Sequence, residues 1–136
     1  MSVTQVWERL FIVGIGDAEA LAGSNPFGIT TVVILCREKV QKFSPDANYL
    51  HYPVREARPI PVGHFDEIID AMWENIRWGT VLLASQSGTT RAPLIAAAWM
   101  DCCGYKNIDA ALAEIRTMRT IDPNPILLSS VKELLW

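Results

Sequence analysis

Residues 80–93, Thr-Val-Leu-Leu-Ala-Ser-Gln-Ser-Gly-Thr-Thr-Arg-Ala-Pro, constrain this chain more than any other stretch. Residues 80–83 form an apolar run suited to a buried strand, and residues 85–90 are a polar turn of small side chains. Residues 92–100 are an apolar helix opening with Pro93, a residue favoured in a first helical turn. A small-residue loop between a strand and a helix N-terminus aims backbone N–H groups inward, and the helix dipole adds positive potential there. The loop is therefore a natural anion cradle, to which Arg91 adds a planar fork able to bind two phosphate oxygens. Arg91 could instead be a plain surface charge. Positive charge at a helix start opposes the dipole, however, so an anion partner explains it better.

The rest of the chain alternates short apolar runs with helical patterns. Residues 9–13, ending at Gly14, read as a first strand, and residues 17–22 as a short helix. Residues 31–36, rich in β-branched side chains, read as a buried central strand led in by Gly28. Residues 48–52 read as a shorter strand stopped by Pro53, and residues 54–62 as a proline-restricted loop. Phe65, Ile68, Ile69, Met72, Trp73 and Ile76 recur at helical spacing opposite Asp66, Glu67, Asp70 and Glu74, with Gly79 as the expected terminal cap. Residues 92–102 should be the central buried helix. Asn107 is placed to cap a further helix, with Asp109 in its first turn and Ile108, Ala111, Leu112, Ile115 and Met118 on one face. Pro123 and Pro125 precede a last helix with Ile126, Leu127, Val131, Leu134 and Leu135 as its apolar positions.

At 136 residues, 50% hydrophobic and 20% charged, the chain is one globular domain large enough for a real core. A net charge of −3 excludes nucleic-acid binding driven by bulk electrostatics, so any anion site must be local. Cys36, Cys102 and Cys103 lie in or beside apolar runs; an odd count with one adjacent pair is a poor disulfide framework, and they read as buried thiols in a reducing compartment. No secretory signal, spanning segment or repeat appears, so a cytoplasmic location is expected. A serine hydrolase would need Gly-x-Ser-x-Gly and an ATP-binding loop Gly-Lys-Ser/Thr; both are absent.

The loop resembles the active-site loop of the protein tyrosine and dual-specificity phosphatases: His-Cys, then five residues including Gly, then Arg. On this sequence Ala84 takes the His position, Ser85 the Cys, Gly88 the Gly and Arg91 the Arg. Ala92 stands where the family usually has Ser or Thr; Arg-Ala-Pro also occurs in members that act on phosphorylated glucans. The flanks extend the likeness over nearly the whole chain. Residues 10–14 and 28–32 look like the family's opening strands, Tyr52-Pro53-Val54-Arg55-Glu56 like the stretch carrying its general acid, and residues 115–119 with Pro123-Asn124-Pro125 like its closing helices. The resemblance implies an α/β single domain: a central, mostly parallel sheet of four to five strands flanked by helices. It implies a phosphorylated ligand (phosphoprotein, phosphoinositide or phosphosugar). It further suggests a monomer without cofactor, metal, nucleic-acid partner or membrane span. Rhodanese-type sulfurtransferases also place a Cys loop before a helix, but with fewer residues before the closing Arg.

The family's thiolate attacks phosphorus while an Asp protonates the leaving oxygen, and water then releases the phosphocysteine. The resemblance implies Ser85 as nucleophile position and Gln86, Ser87, Gly88, Thr89, Thr90 and Arg91 as the phosphate cradle. Glu56 is implied as general acid, with Asp66 as runner-up, and Asn124 as support for the loop. Glu56 could equally be a solvated charge between Arg55 and Arg58, and Asp66 a helix-dipole complement. Arg37, Arg55 and Arg58 are candidates for the cleft mouth, while His51 and His64 read as structural or exposed. A Ser hydroxyl needs an adjacent base, and neither Ala84 nor Gln86 is one, so Ser85 is expected to be chemically silent in an intact cradle. Two origins fit. One is an engineered Cys-to-Ser replacement, favoured because the rest of the loop is kept. The other is a natural pseudophosphatase, a phosphate- or phosphoprotein-binding module, favoured by the additional loss of His at Ala84.

Overall fold

The computed structural model describes residues 3–135. Five strands form one sheet: β1 (Thr4–Trp7), β2 (Leu10–Gly14), β3 (Ile29–Ile34), β4 (Asn48–His51) and β5 (Thr80–Ser85), in spatial order β1-β2-β5-β3-β4. β5 lies at the centre, parallel to β2 and β3 on either side, and β4 is parallel to β3. Only the edge pair β1–β2 is antiparallel, so the expected mostly parallel sheet is present. β1 has no counterpart in the sequence reading. Its four residues carry too little periodicity to register, and pairing with β2 is what makes them a strand.

Alternation along the strands splits the core between the two faces of the sheet. Leu10, Ile12, Val33, Leu35, Val81 and Leu83 face α2 (Val62–Ile76), α3 (Arg91–Cys102), α4 (Ile108–Arg116) and α5 (Pro125–Leu134). Phe11, Val13, Val32, Ile34, Leu82 and Ala84 face the other side, covered by α1 (Ile15–Ala18) and a 3₁₀ turn at Glu19–Ala22. β2, β3 and β5 read as continuous apolar runs because both faces are covered. Residues 91–100 of α3 are all buried, as its apolar circumference requires. Trp99 is clamped between Trp7 and Trp73, at ring-centroid distances of 5.0 and 5.5 Å.

Several local expectations change. α2 begins at Val62, three residues before Phe65, because the extended Pro61 feeds directly into its first turn. Gly79 has no positive φ and is not a left-handed cap; a Cβ there would lie 2.0 Å from the Thr30 hydroxyl, so the residue is small for close approach of β3. Helix 17–22 is split into a short α-helix and the 3₁₀ turn. Met118 lies beyond α4 and Ile126 in the first turn of α5, and both are exposed. Of the cysteines, Cys36 is buried as expected, whereas Cys102 is exposed and Cys103 half-buried at the end of α3. Among the described residues no helix is long and apolar enough to cross a membrane.

Candidate functional site

The loop 86–90 leaves the C-terminal end of β5, the strand with parallel neighbours on both sides. In open α/β sheets the crevice beyond the carboxyl ends of the strands, where connections part to opposite faces, is the usual ligand position. Three other parts of the chain hold the loop there. Gly14, ending β2, packs against it: a Cβ on Gly14 would lie 3.2 Å from the Ser87 carbonyl oxygen. Gly88 has φ +72°, and a Cβ there would meet Gly14 N and Val13 C at 2.8 Å and Arg119 Nη2 at 3.0 Å. Glycine is thus required twice over, for conformation and for space. Arg119 supports the same corner, its Nη1 donating to Thr4 Oγ1 at 3.3 Å and to the Ile12 carbonyl at 3.4 Å. Burial holds its pKa below the usual guanidinium value, offset by the Asp17 carboxylate. From the α4–α5 connection, the Asp122 amide donates to the Thr89 carbonyl at 2.7 Å, and Thr90 Oγ1 donates to the Asp122 carbonyl at 3.2 Å.

The same connection places Asn124, the expected loop support, at the start of α5. Its Oδ1 accepts from the amides of Ile126 (2.9 Å) and Leu127 (3.3 Å), capping α5. The loop is tied down by the Asp122 backbone instead. A backbone contact carries no side-chain signal, so nothing in the residue types pointed to Asp122. Gly14 did carry one, as a glycine closing a strand.

Within the loop, Ser87 and Thr89 pair their hydroxyls at 2.6 Å, and the Thr89 amide reaches Ser87 Oγ at 3.4 Å. Among the described residues the amides of Gln86, Ser87, Gly88 and Thr90 have no protein acceptor. Thr90, the residue before α3, spends its hydroxyl on Asp122 and leaves the helix start without a side-chain cap. Uncapped first-turn donors are what an anion satisfies. Ser85 is buried, and its Oγ accepts from the Ala92 amide at 3.3 Å; among the described residues no His or carboxylate bonds to it.

Arg91 is only 8% exposed. Its Nη1 donates to the Val54 carbonyl at 3.1 Å, while its Nε is buried with no acceptor among the described residues. A guanidinium buried to this degree without a carboxylate in ion-pair contact is costly unless something else neutralises it. Its charge is felt at Cys36, whose thiol burial pushes up to about 11, with the Glu38 carbonyl accepting its Sγ–H at 3.6 Å and Arg91 opposing the rise. Cys36 is therefore a thiol at neutral pH and no substitute nucleophile. Arg91 also lines a cavity of about 350 Å³ together with Arg37, Glu38, Pro53, Val54 and Arg55.

Glu56 is exposed in the connection between β4 and α2, in a wider depression of about 810 Å³ that it shares with Arg37, Arg55 and Arg58. Arg55 and Arg37 belong to both depressions, so Glu56 lies beside the Arg91 cavity. Asp66 does not. It sits in the second turn of α2 and acts on Cys102, helping to raise that thiol's pKa after burial and Asp101. Cys102 ends α3 and Arg91 begins it, about 16 Å apart at 1.5 Å per residue, so Asp66 belongs to the far end of the helix. His51 Nε2 bonds the Cys36 carbonyl at 2.7 Å and His64 Nε2 the Pro53 carbonyl at 2.8 Å, structural positions as expected. Among the described residues no three His, Cys, Asp or Glu side chains gather as metal ligands.

No protein-family model and no curated protein sequence matches the chain. Solved structures do. A point variant of human DUSP28 matches with a TM-score of 0.88 at 21% identity, over 98% of this chain and 93% of that one. A mouse putative dual specificity phosphatase, complexed with zinc tungstate, matches with a TM-score of 0.85 at 21% identity, over 97% and 85%. DUSP15 matches with a TM-score of 0.79 at 26% identity, over 98% and 87%. The fold is that of the dual-specificity phosphatases, and the resemblance drawn from the 84–91 loop extends through the whole architecture. DUSP15, at 26% identity, supports a phosphatase-type function.

Proposed function

We propose that this chain binds phosphomonoesters on the frame of a cysteine-dependent phosphatase, with Ser85 in the nucleophile position leaving the bond-breaking step silent. The carrying observation is Arg91: a buried guanidinium with an unpaired Nε, at an uncapped helix start beside a loop of unpaired amides. A tetrahedral dianion would satisfy all three at once. The mouse neighbour's complex contains tungstate, a tetrahedral oxyanion, which agrees with this reading.

The chemistry follows from residue 85. With Cys there, the Ala92 amide, the α3 dipole and Arg91 would lower the thiol pKa from about 8.5 towards 3.5–7.5. The thiolate would attack phosphorus, Glu56 would give its proton to the departing oxygen, and water would hydrolyse the phosphocysteine. The same surroundings cannot ionise a hydroxyl. Ser85 has no base to take its proton.

The test is Ser85→Cys, assayed on an aryl phosphate with phosphate binding followed in parallel. The parent should bind phosphate without turnover, and Ser85→Cys should turn over and lose activity to alkylation, with phosphate protecting. Glu56→Gln in that background should slow poor leaving groups by about 10²–10⁴-fold and good ones little. Phosphate binding with neither turnover nor rapid alkylation in Ser85→Cys would favour the pseudophosphatase origin over a replaced Cys. Phosphate affinity unaffected by Arg91→Ala would refute the site.

A further inference from the structure

The Arg91 cavity holds two further guanidiniums besides Arg91 itself. Arg37 follows β3, and Arg55 and Arg58 lie in the β4–α2 connection. Among the described residues none of these three forms a hydrogen bond or an ion pair, and all are exposed. Three guanidiniums (Arg37, Arg55, Arg91) and one carboxylate (Glu38) line the 350 Å³ cavity, and Arg58 and Glu56 join Arg37 and Arg55 in the adjoining depression. On a chain of net charge −3 this concentration is local and opposite in sign to the whole.

The lining also discriminates between scaffolds. A phosphoaryl side chain is desolvated by apolar or aromatic walls. Here Pro53 and Val54 are the uncharged lining residues, and no aromatic ring is among them. Glu38 adds an acceptor to the basic wall; its own backbone and the Cys36 thiol, with Arg91 and Arg37 nearby, hold its carboxyl below the usual range. A carboxylate lining the same cavity as the guanidiniums suits a ligand that offers hydroxyl donors as well as anions.

We infer that the ligand of this site is a compact polyol bearing at least two phosphates. One phosphate lies on the 86–90 loop and Arg91, the second lies on Arg37 and Arg55, and ring hydroxyls donate to Glu38. The inference rests on the phosphate-site reading and narrows it to polyphosphorylated cyclitols or sugars, free or as a lipid headgroup. Bidentate guanidinium contacts to a second phosphate give the selectivity over a monophosphate.

The experiment is calorimetric titration of the full chain at low salt with inorganic phosphate, inositol monophosphate, inositol trisphosphate and a phosphotyrosine peptide. It is paired with sedimentation on phosphatidylcholine vesicles with and without phosphatidylinositol bisphosphate. The trisphosphate should bind about tenfold or more tightly than the monophosphate. The double variant Arg37→Ala/Arg55→Ala, its fold checked by circular dichroism, should bring trisphosphate affinity down to the monophosphate level. Sedimentation only with the bisphosphate vesicles supports a lipid source, and trisphosphate binding without sedimentation supports a soluble one. Equal affinities for the two inositol phosphates overturn the inference, as does a gain that survives the double variant or a phosphotyrosine peptide that binds more tightly than the trisphosphate. Failure of inorganic phosphate to bind at all overturns the phosphate site itself, and is thereby distinguished from a site that takes phosphate without selecting a second one.

Discussion

Replacing Gly88 by Ala tests whether the loop is held as tightly as its contacts indicate. Two penalties should combine. The residue sits at φ +72°, where an L side chain costs about 1–2 kcal/mol. Its Cβ would also fall 2.8 Å from Gly14 N and Val13 C, backbone atoms of β2. β2 is fixed between β1 and β5, so it cannot retreat, and overpacking of this kind costs about 1–3 kcal/mol. The sum is about 2–5 kcal/mol. Gly104→Ala supplies the control: φ is +78°, but nothing lies within 4 Å of its Cβ, so about 1–2 kcal/mol is expected. Urea unfolding of both variants measures the difference, and phosphate titration reads the loop. Gly88→Ala should lose phosphate affinity because the loop must lift off β2, whereas Gly104→Ala should keep it. A Gly88→Ala variant no less stable than Gly104→Ala, with parental phosphate affinity, would refute the packing argument.

Asn124→Ala should destabilise the fold by about 1 kcal/mol through loss of the α5 cap, and leave phosphate affinity unchanged because the Asp122 backbone holds the loop; a fall in affinity would restore Asn124 to the site. Iodoacetamide near neutral pH should modify exposed Cys102 before buried Cys36, read by peptide mass spectrometry. Because burial raises the Cys36 pKa from 9.0 to about 11, the unfolded chain releases that proton first. Its contribution to stability is thus whole below pH 9 and lost as pH rises to about 11, and Cys36→Ala should flatten that part of the urea-derived stability profile.

The site was legible in sequence where side-chain type carries the physics. Val81 to Leu83 were legible as a buried strand, and Arg91 as a cation at a helix start. Asn107 was legible as a cap for the same reason, and its Oδ1 accepts from the Ala110 amide at 2.9 Å. What escaped was set by pairing and packing. β1 exists through its pairing with β2, two residues further on, and Gly79 is small because Thr30, far away in sequence, is beside it. Asp66 and Glu56 lie ten residues apart and are equally acidic, yet α2 carries Asp66 toward Cys102 while the preceding connection leaves Glu56 beside Arg37, Arg55 and Arg58.

The same distinction explains how the loop can be so polar and yet so fixed. Its five residues have almost no apolar surface to bury, so a loop of this composition would be mobile by itself. Order is imposed from outside: Gly14 and Arg119 press on it from one side, Asp122 bonds it through Thr89 and Thr90, and the Val54 carbonyl orients Arg91. These supports use mainly backbone atoms and leave the loop's own amides unspent. A site that must accept a dianion needs that division, because an amide satisfied by the protein has nothing left to give a phosphate. The backbone ties from Val54 and Asp122 therefore follow from the same requirement as the small residues of the loop: they fix its shape without consuming its donors.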